Sequence, residues 1–381
     1  MHEITESSVS PKIQFIDLFS KENLFLLDGG ENLEKVRIAY QTYGKLNDEG
    51  TNAILICHAL TGNSHAAGIL TKEAWDENGN TDLLNKYFKM FKGKSGWWDA
   101  LIGPEKTFNT DKYFVICSNI LGSCYGSTGP VSINPKTLKP FQIDFPSITV
   151  RDIVRIQKSL IKTLGVNKIR TVAGGSLGGM QALEWGIMYP ELVESVISIG
   201  TSAKHSAWAI GISEAQRLAI KNDPEWLNGY YKKQPAKGLS LARQIAMISY
   251  RSMLSFEDKF GREYINNSKK FQVSNYLEYQ GNKLVERFDA NTYLLLTDVM
   301  DKHDISTNRD KTENVLKEMK TKLLAIGISS DILYPTHEQK YMAEHASNAK
   351  YAEIKSRHGH DAFLIEFDQL SKIIGEFLES L

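Results

Sequence analysis

The chain has 381 residues, enough for one large domain or for a core that carries a substantial insertion. It is 42% hydrophobic and 24% charged, and its 45 basic residues balance 45 acidic ones, so neither nucleic acid nor an anionic membrane has an electrostatic reason to bind it. Residues 1–6 are polar and lack the basic start and apolar run of a secretion signal. No apolar stretch approaches the roughly 20 residues that span a bilayer. The expectation is a soluble, cytoplasmic protein. Cys57, Cys117 and Cys124 suggest neither a disulfide framework nor a zinc site, and read as reduced thiols packed as small apolar groups.

In chain order, residues 53–57 form a short apolar run closed by His58-Ala59-Leu60-Thr61-Gly62. Residues 70–95 are polar and rich in Lys, Asn and Gly, which predicts a surface loop with a short helix. A second apolar run covers 113–117. Residues 150–164 place Ile153, Val154, Ile156, Leu160, Ile161 and Leu164 near a 3.6 period, with Gly165 as the stop signal. A third run at 169–173 leads into a helix over 178–189 that Pro190 ends. Further runs lie at 196–200 and 323–327, and residues 350–354 read as the last strand. Short β-branched runs without polar alternation are buried on both faces, so the sheet is expected to be mostly parallel, with right-handed crossovers. The rhythm breaks after about residue 202. Residues 203–310 are helix-prone and are read as a helical lid domain over the carboxyl edge of the sheet, with residues 1–202 and 311–381 as the α/β core domain.

The chemistry starts at Gly174-Gly175-Ser176-Leu177-Gly178, a serine in a glycine-rich turn between a buried strand and a helix. That context is the nucleophile elbow of the α/β-hydrolase fold. Small neighbours let the chain reverse sharply, and the helix N-terminus turns N–H groups toward any oxyanion formed there. A packing turn with no catalytic role is the plain alternative, and a P-loop fails for want of a following Lys. A serine needs a base and the base an acid, in the chain order Ser, acid, His. Asp331 stands at the carboxyl end of the penultimate strand. His360 lies on the loop after the last strand, with His358 as the fallback base. The pair could also be metal ligands, but no upstream cluster supports them and no metal is expected. Leu177 and Leu60 are assigned the two oxyanion-hole amides, and His58 a structural rather than catalytic role.

Long strings then carry a family resemblance. Ala39-Tyr40-Gln41-Thr42-Tyr43-Gly44, Gly96-Trp97-Trp98-Asp99, Gly126-Ser127-Thr128-Gly129-Pro130, Asp223-Pro224-Glu225-Trp226, Glu286-Arg287-Phe288-Asp289 and Gly359-His360-Asp361-Ala362-Phe363-Leu364 resemble the homoserine O-acetyltransferase family, of α/β-hydrolase type, over nearly the whole chain. The resemblance implies the triad Ser176, Asp331 and His360, and an amino-acid acceptor held by Arg217 and Asp361. It implies acetyl-CoA and L-homoserine as substrates in methionine biosynthesis, no resident cofactor, and a homodimer built through the lid. Two departures fall in the lid: Met247 replaces the family's usual His, and Gly211-Ile212-Ser213-Glu214-Ala215 displaces the usual Asn. Succinyl-CoA as donor, serine as acceptor, plain ester hydrolysis and a catalytically silent binding protein stay open as alternatives.

Overall fold

The computed structural model describes residues 11–72, 82–266 and 268–381. The N-terminal hexapeptide and residues 73–81 of the 70–95 loop lie outside the described residues. Within that loop Leu70 is buried, and helix α1 (Asp82–Phe91) follows.

Eight strands make one sheet: β1 (Gln14–Leu18), β2 (Val36–Tyr43), β3 (Ala53–Cys57), β4 (Phe114–Ser118), β5 (Ile169–Gly175), β6 (Val193–Ile199), β7 (Lys322–Ile328) and β8 (Ala349–Ile354). Their order across the sheet is β1-β2-β4-β3-β5-β6-β7-β8. β1 pairs antiparallel with β2, and β2 antiparallel with β4; every later pairing is parallel. β3 is buried at every residue and β5 at all but Arg170, as strands covered on both faces must be. The order doubles back between β3 and β4, and a crevice opens at the carboxyl ends of strands flanking such a reversal. Ser176 and Leu60 both follow strands next to it.

Helix α2 (Val150–Thr163) and helix α3 (Leu177–Met188) cover one face. α2 begins at a full capping box: the Thr149 side chain accepts from the Asp152 amide, and the Asp152 carboxylate accepts from the Thr149 amide. Helix α3 is buried over its first ten residues, consistent with its place between the sheet and later helices. The other face is closed by Trp98, Phe108 and the C-terminal helix Phe367–Glu379, whose Leu370, Ile374 and Phe377 face the sheet.

Between β6 and β7 the chain departs from strand-helix alternation. It runs through α4 (Ala207–Lys221), α5 (Ala236–Tyr250), α6 (Met253–Phe260), α7 (Gln272–Val285), α8 (Ala290–Asp301) and α9 (Thr312–Glu318). α5 packs against both α4 and α7, and α4 also against α8. Polar side chains cap the starts of several of these helices: Ser206, Ser252 and Asp289 accept from backbone amides in the first turns of α4, α6 and α8. Cys57, Cys117 and Cys124 are buried as thiols, and burial raises their pKa values. No helix among the described residues is long and apolar enough to cross a membrane.

Candidate active site

Ser176 sits where β5 turns into α3, with φ 58° and ψ −126°. An L-residue adopts that conformation at a cost of about 1–3 kcal/mol, and only when its surroundings over-determine it. Here they do. The Ser176 amide donates to Ile199 O at the end of β6 (2.9 Å), and the Ser176 carbonyl accepts from the amides of Gly179 and Met180. The neighbouring glycines are demanded by close approach. A Cβ on Gly178 would lie 2.1 Å from the Cys57 carbonyl oxygen, and one on Gly174 2.5 Å from the Gly178 backbone. The elbow is thus wedged against the end of β3.

Asp331 follows β7 and is buried. Its Oδ1 accepts from the amides of Leu333 (2.8 Å) and Tyr334 (2.9 Å), which fixes the carboxylate and leaves Oδ2 for His360 Nδ1 at 2.7 Å. His360 lies in a short 3₁₀ helix, Gly359–Leu364, after β8, and its ring packs against those of Tyr250, Tyr334 and Phe363. Since a carboxylate only accepts, Nδ1 carries the ring hydrogen and Nε2 presents a lone pair. Burial pushes the imidazole pKa down, but the Asp331 carboxylate, helped by Asp361, outweighs it and holds the group above its ordinary 6.5. Gly200, just past β6, is at φ +50°, and a Cβ there would stand 3.4 Å from Asp331 Oδ2 and 3.5 Å from His360 Cε1. Among the described residues Ser176 Oγ makes no hydrogen bond. Bonds between nucleophile and base of this kind are often long and tighten as substrate arrives.

The amides of Leu60 and Leu177 also donate to no partner among the described residues. Leu177 opens α3, so its N–H is one of the helix's orphan donors. The loop carrying Leu60 is pinned from several sides. His58 Nδ1 bonds the Ala59 carbonyl (2.8 Å), while its Nε2 accepts from the Ile120 amide (3.1 Å). Gln181 of α3 donates to the His58 carbonyl, and Arg287, at the end of α7, to the Thr61 carbonyl. Burial lowers the His58 pKa to about 4, and both ring nitrogens are engaged by the backbone they tie together.

The remaining sequence candidates separate. Asp361 adjoins His360 and pairs with Arg251 at 3.3 Å. His358 precedes that short helix and lines a neighbouring cavity. Arg217 is on α4, but its guanidinium is held by Glu214 (2.7 Å) and by Asp301 of α8 (2.5 Å). Two carboxylates already answer its charge. A cation that the sequence reading passed over is Arg243 on α5. It forms no ion pair among the described residues, and its guanidinium lies 5.3 Å from the Tyr250 ring centroid, which is itself 5.7 Å from that of His360. The two residues are seven apart on one helix face, a spacing visible in the sequence. Of the departures, Met247 is buried on α5, whereas Gly211 is exposed on α4 with open space around it.

Residues 52–367 match the model of the alpha/beta hydrolase fold family. A homoserine O-acetyltransferase of Carboxydothermus hydrogenoformans is 49% identical over 367 residues, covering 93% of this chain and 92% of that one. Among solved structures, a homoserine O-acetyltransferase from Bacillus anthracis superposes with a TM-score of 0.85 at 31% identity, covering 96% of this chain and 98% of that one. Esterase E22 gives the same TM-score at 28% identity, with coverage of 97% and 100%.

Proposed function

The chain belongs to the homoserine O-acetyltransferase family, within the alpha/beta hydrolase fold, and from that premise we propose that it carries the acetyl group of acetyl-CoA to the side-chain hydroxyl of L-homoserine through an acetyl-Ser176 intermediate. The observation that carries the mechanism is the 2.7 Å His360–Asp331 pair, together with a strained serine at the elbow and two amides that have no acceptor among the described residues.

His360 Nε2 takes the Ser176 Oγ proton as Oγ bonds to the thioester carbonyl carbon. The oxyanion accepts from the Leu60 and Leu177 amides. When the C–S bond breaks, His360 returns the proton to the departing thiolate, and CoA leaves. L-Homoserine then enters, and its hydroxyl loses a proton to His360 as its oxygen attacks the acetyl-serine carbonyl. Collapse breaks the bond to Oγ, the proton goes back to Ser176, and O-acetyl-L-homoserine departs. Asp361 is assigned the acceptor's ammonium group. The carboxylate is assigned to Arg243 rather than Arg217, because Arg217 is neutralised by Glu214 and Asp301 and instead ties α4 to α8. The helices between β6 and β7 act as a lid that keeps water from the acetyl-serine.

The test is CoA release from acetyl-CoA with and without homoserine, in the parent and in Ser176→Ala. Release that depends on homoserine and disappears in the variant supports the reading. Equal release without acceptor favours hydrolysis, the second reading that the likeness to esterase E22 keeps in view. A homodimer is proposed through the exposed apolar side chains Leu241 and Ile248 of α5 and Met253 and Leu254 of α6. Gel filtration that yields only a 42.9 kDa monomer would overturn it.

A further inference from the structure

A cavity of about 750 Å³ opens beside the catalytic loop, between α6, the start of α7 and the segment after β8. Its size is that of a small-molecule site. Four cations line it, Arg251, Lys259, Lys355 and Arg357, against two carboxylates, Asp258 and Glu366. We propose that this cavity docks the phosphorylated adenosine end of the acyl donor, an inference that rests on the reading of acetyl-CoA as that donor.

The lining has both features such a ligand requires. Phe256, Phe260 and Tyr276 form a contiguous aromatic wall, with ring centroids 4.9 Å apart for Phe260 and Tyr276 and 6.3 Å for Phe256 and Tyr276. A purine ring stacks on such a surface whatever its hydrogen-bonding edge. The cations stand beside that wall. Lys259 has no ion pair among the described residues, and its ammonium rests 4.8 Å from the Tyr276 ring centroid. Among the described residues Lys355 pairs with Glu353 and Arg357 with Asp258, and both cations are largely exposed. Exposed pairs of this kind hold weakly, so a multiply charged phosphate can draw both cations to itself.

The position fits a donor whose reactive end must reach Ser176. The Ser252 hydroxyl bonds the Arg357 carbonyl, and a Cβ on Gly359 would lie 2.6 Å from the Ser252 amide nitrogen. Arg251, which lines the cavity, pairs with Asp361, the residue after His360. The cavity wall and the catalytic loop are therefore in direct contact. Phosphates bound at the outer rim leave the pantetheine arm to pass inward over Arg251 to the serine.

The experiment compares acetyl-CoA with S-acetyl-pantetheine, which carries the same thioester and arm but no phosphoadenosine. The ratio of their kcat/KM values, read as thiol release, is measured in the parent, in the double variant Lys259→Ala/Lys355→Ala and in Lys259→Glu. Both lysines are exposed, so a folded variant is expected. The ratio should fall about tenfold in the double variant and further in the charge reversal. Adenosine 3′,5′-bisphosphate should compete with acetyl-CoA in the parent and bind correspondingly more weakly to the variants. In the parent, rising salt should depress kcat/KM for acetyl-CoA more steeply than for the truncated donor. A ratio within twofold of the parent in both variants, or parallel salt dependence for the two donors, overturns the docking site. Failure of the donor-acceptor reading shows separately, as thiol release that homoserine does not stimulate.

Discussion

Asp331→Asn isolates the acid from the architecture that holds it. Asp331 Oδ1 accepts two backbone amides, from Leu333 and Tyr334, so the oxygen of an asparagine stays on that side. Its NH2 group then faces His360 Nδ1, where the carboxylate Oδ2 stood at 2.7 Å. Two donors cannot share that bond, so the imidazole must carry its hydrogen on Nε2 and cannot accept the Ser176 proton. Rotating the amide to escape the conflict sacrifices both backbone hydrogen bonds in a buried site, at about 1–3 kcal/mol each. The expected loss in kcat is about 10⁴-fold, or about 5.5 kcal/mol of transition-state stabilisation. The assay is chromogenic thiol detection with saturating acetyl-CoA and homoserine, alongside a urea unfolding curve. Stability should change by no more than about 1 kcal/mol, because the two amide bonds survive. A variant with a kcat within tenfold of the parent would refute the role given to the tautomer.

Other consequences are open to direct measurement. Arg243→Ala should raise the homoserine KM about tenfold or more, and by a larger factor than Arg217→Ala does; the reverse ranking would return the acceptor's carboxylate to Arg217. Gly178→Ala forces a Cβ into the Cys57 carbonyl and should lower stability by about 2–4 kcal/mol with loss of activity, so a parental urea midpoint would contradict the elbow geometry. Acid should weaken the fold through buried histidines, since His58 and His65 are pushed down to about 4 and His205 to about 3, mainly by burial. Their folded values lie below the unfolded 6.5, so the unfolded chain binds more protons as pH falls from 6.5 toward 4, costing on the order of 2 kcal/mol per histidine by pH 4.5. A melting temperature unchanged from pH 7 to 4.5 would exclude this. His360 has the opposite sign: its folded pKa is raised, so its contribution to stability is full below 6.5 and fades as pH rises through the folded value. As a base it must be neutral, and the acidic limb of kcat/KM should lie above that of an ordinary histidine.

What the sequence disclosed follows from how each feature is encoded. Strands β3 to β7 were legible because burial on both faces leaves an uninterrupted apolar run, and α2 because its period and stop residue are local. β1 and β2 were not recognised as strands. β2 holds Gln41, fully buried yet polar because its amide donates to the Pro11 carbonyl and its oxygen faces His65, and such a residue breaks an apolar pattern. β1 lies on the sheet edge, half exposed. The elbow could be read because its steric demands fall on glycines within four residues. The ion pairs of Arg217 could not, because Asp301 reaches it only through the packing of α4 against α8. The spacing of Arg243 and Tyr250 offered a clue, but helix faces often carry such pairs.

The turn between α5 and α6 leans on the loop that bears His360 through the Ser252 bond to the Arg357 carbonyl, the Arg251–Asp361 pair and the close approach at Gly359. If the insertion acts as the proposed lid, its opening would pull on the loop that carries His360. Access and chemistry share one mechanical joint. On that reading, a substitution that loosens the helices would loosen the hold on the imidazole as well.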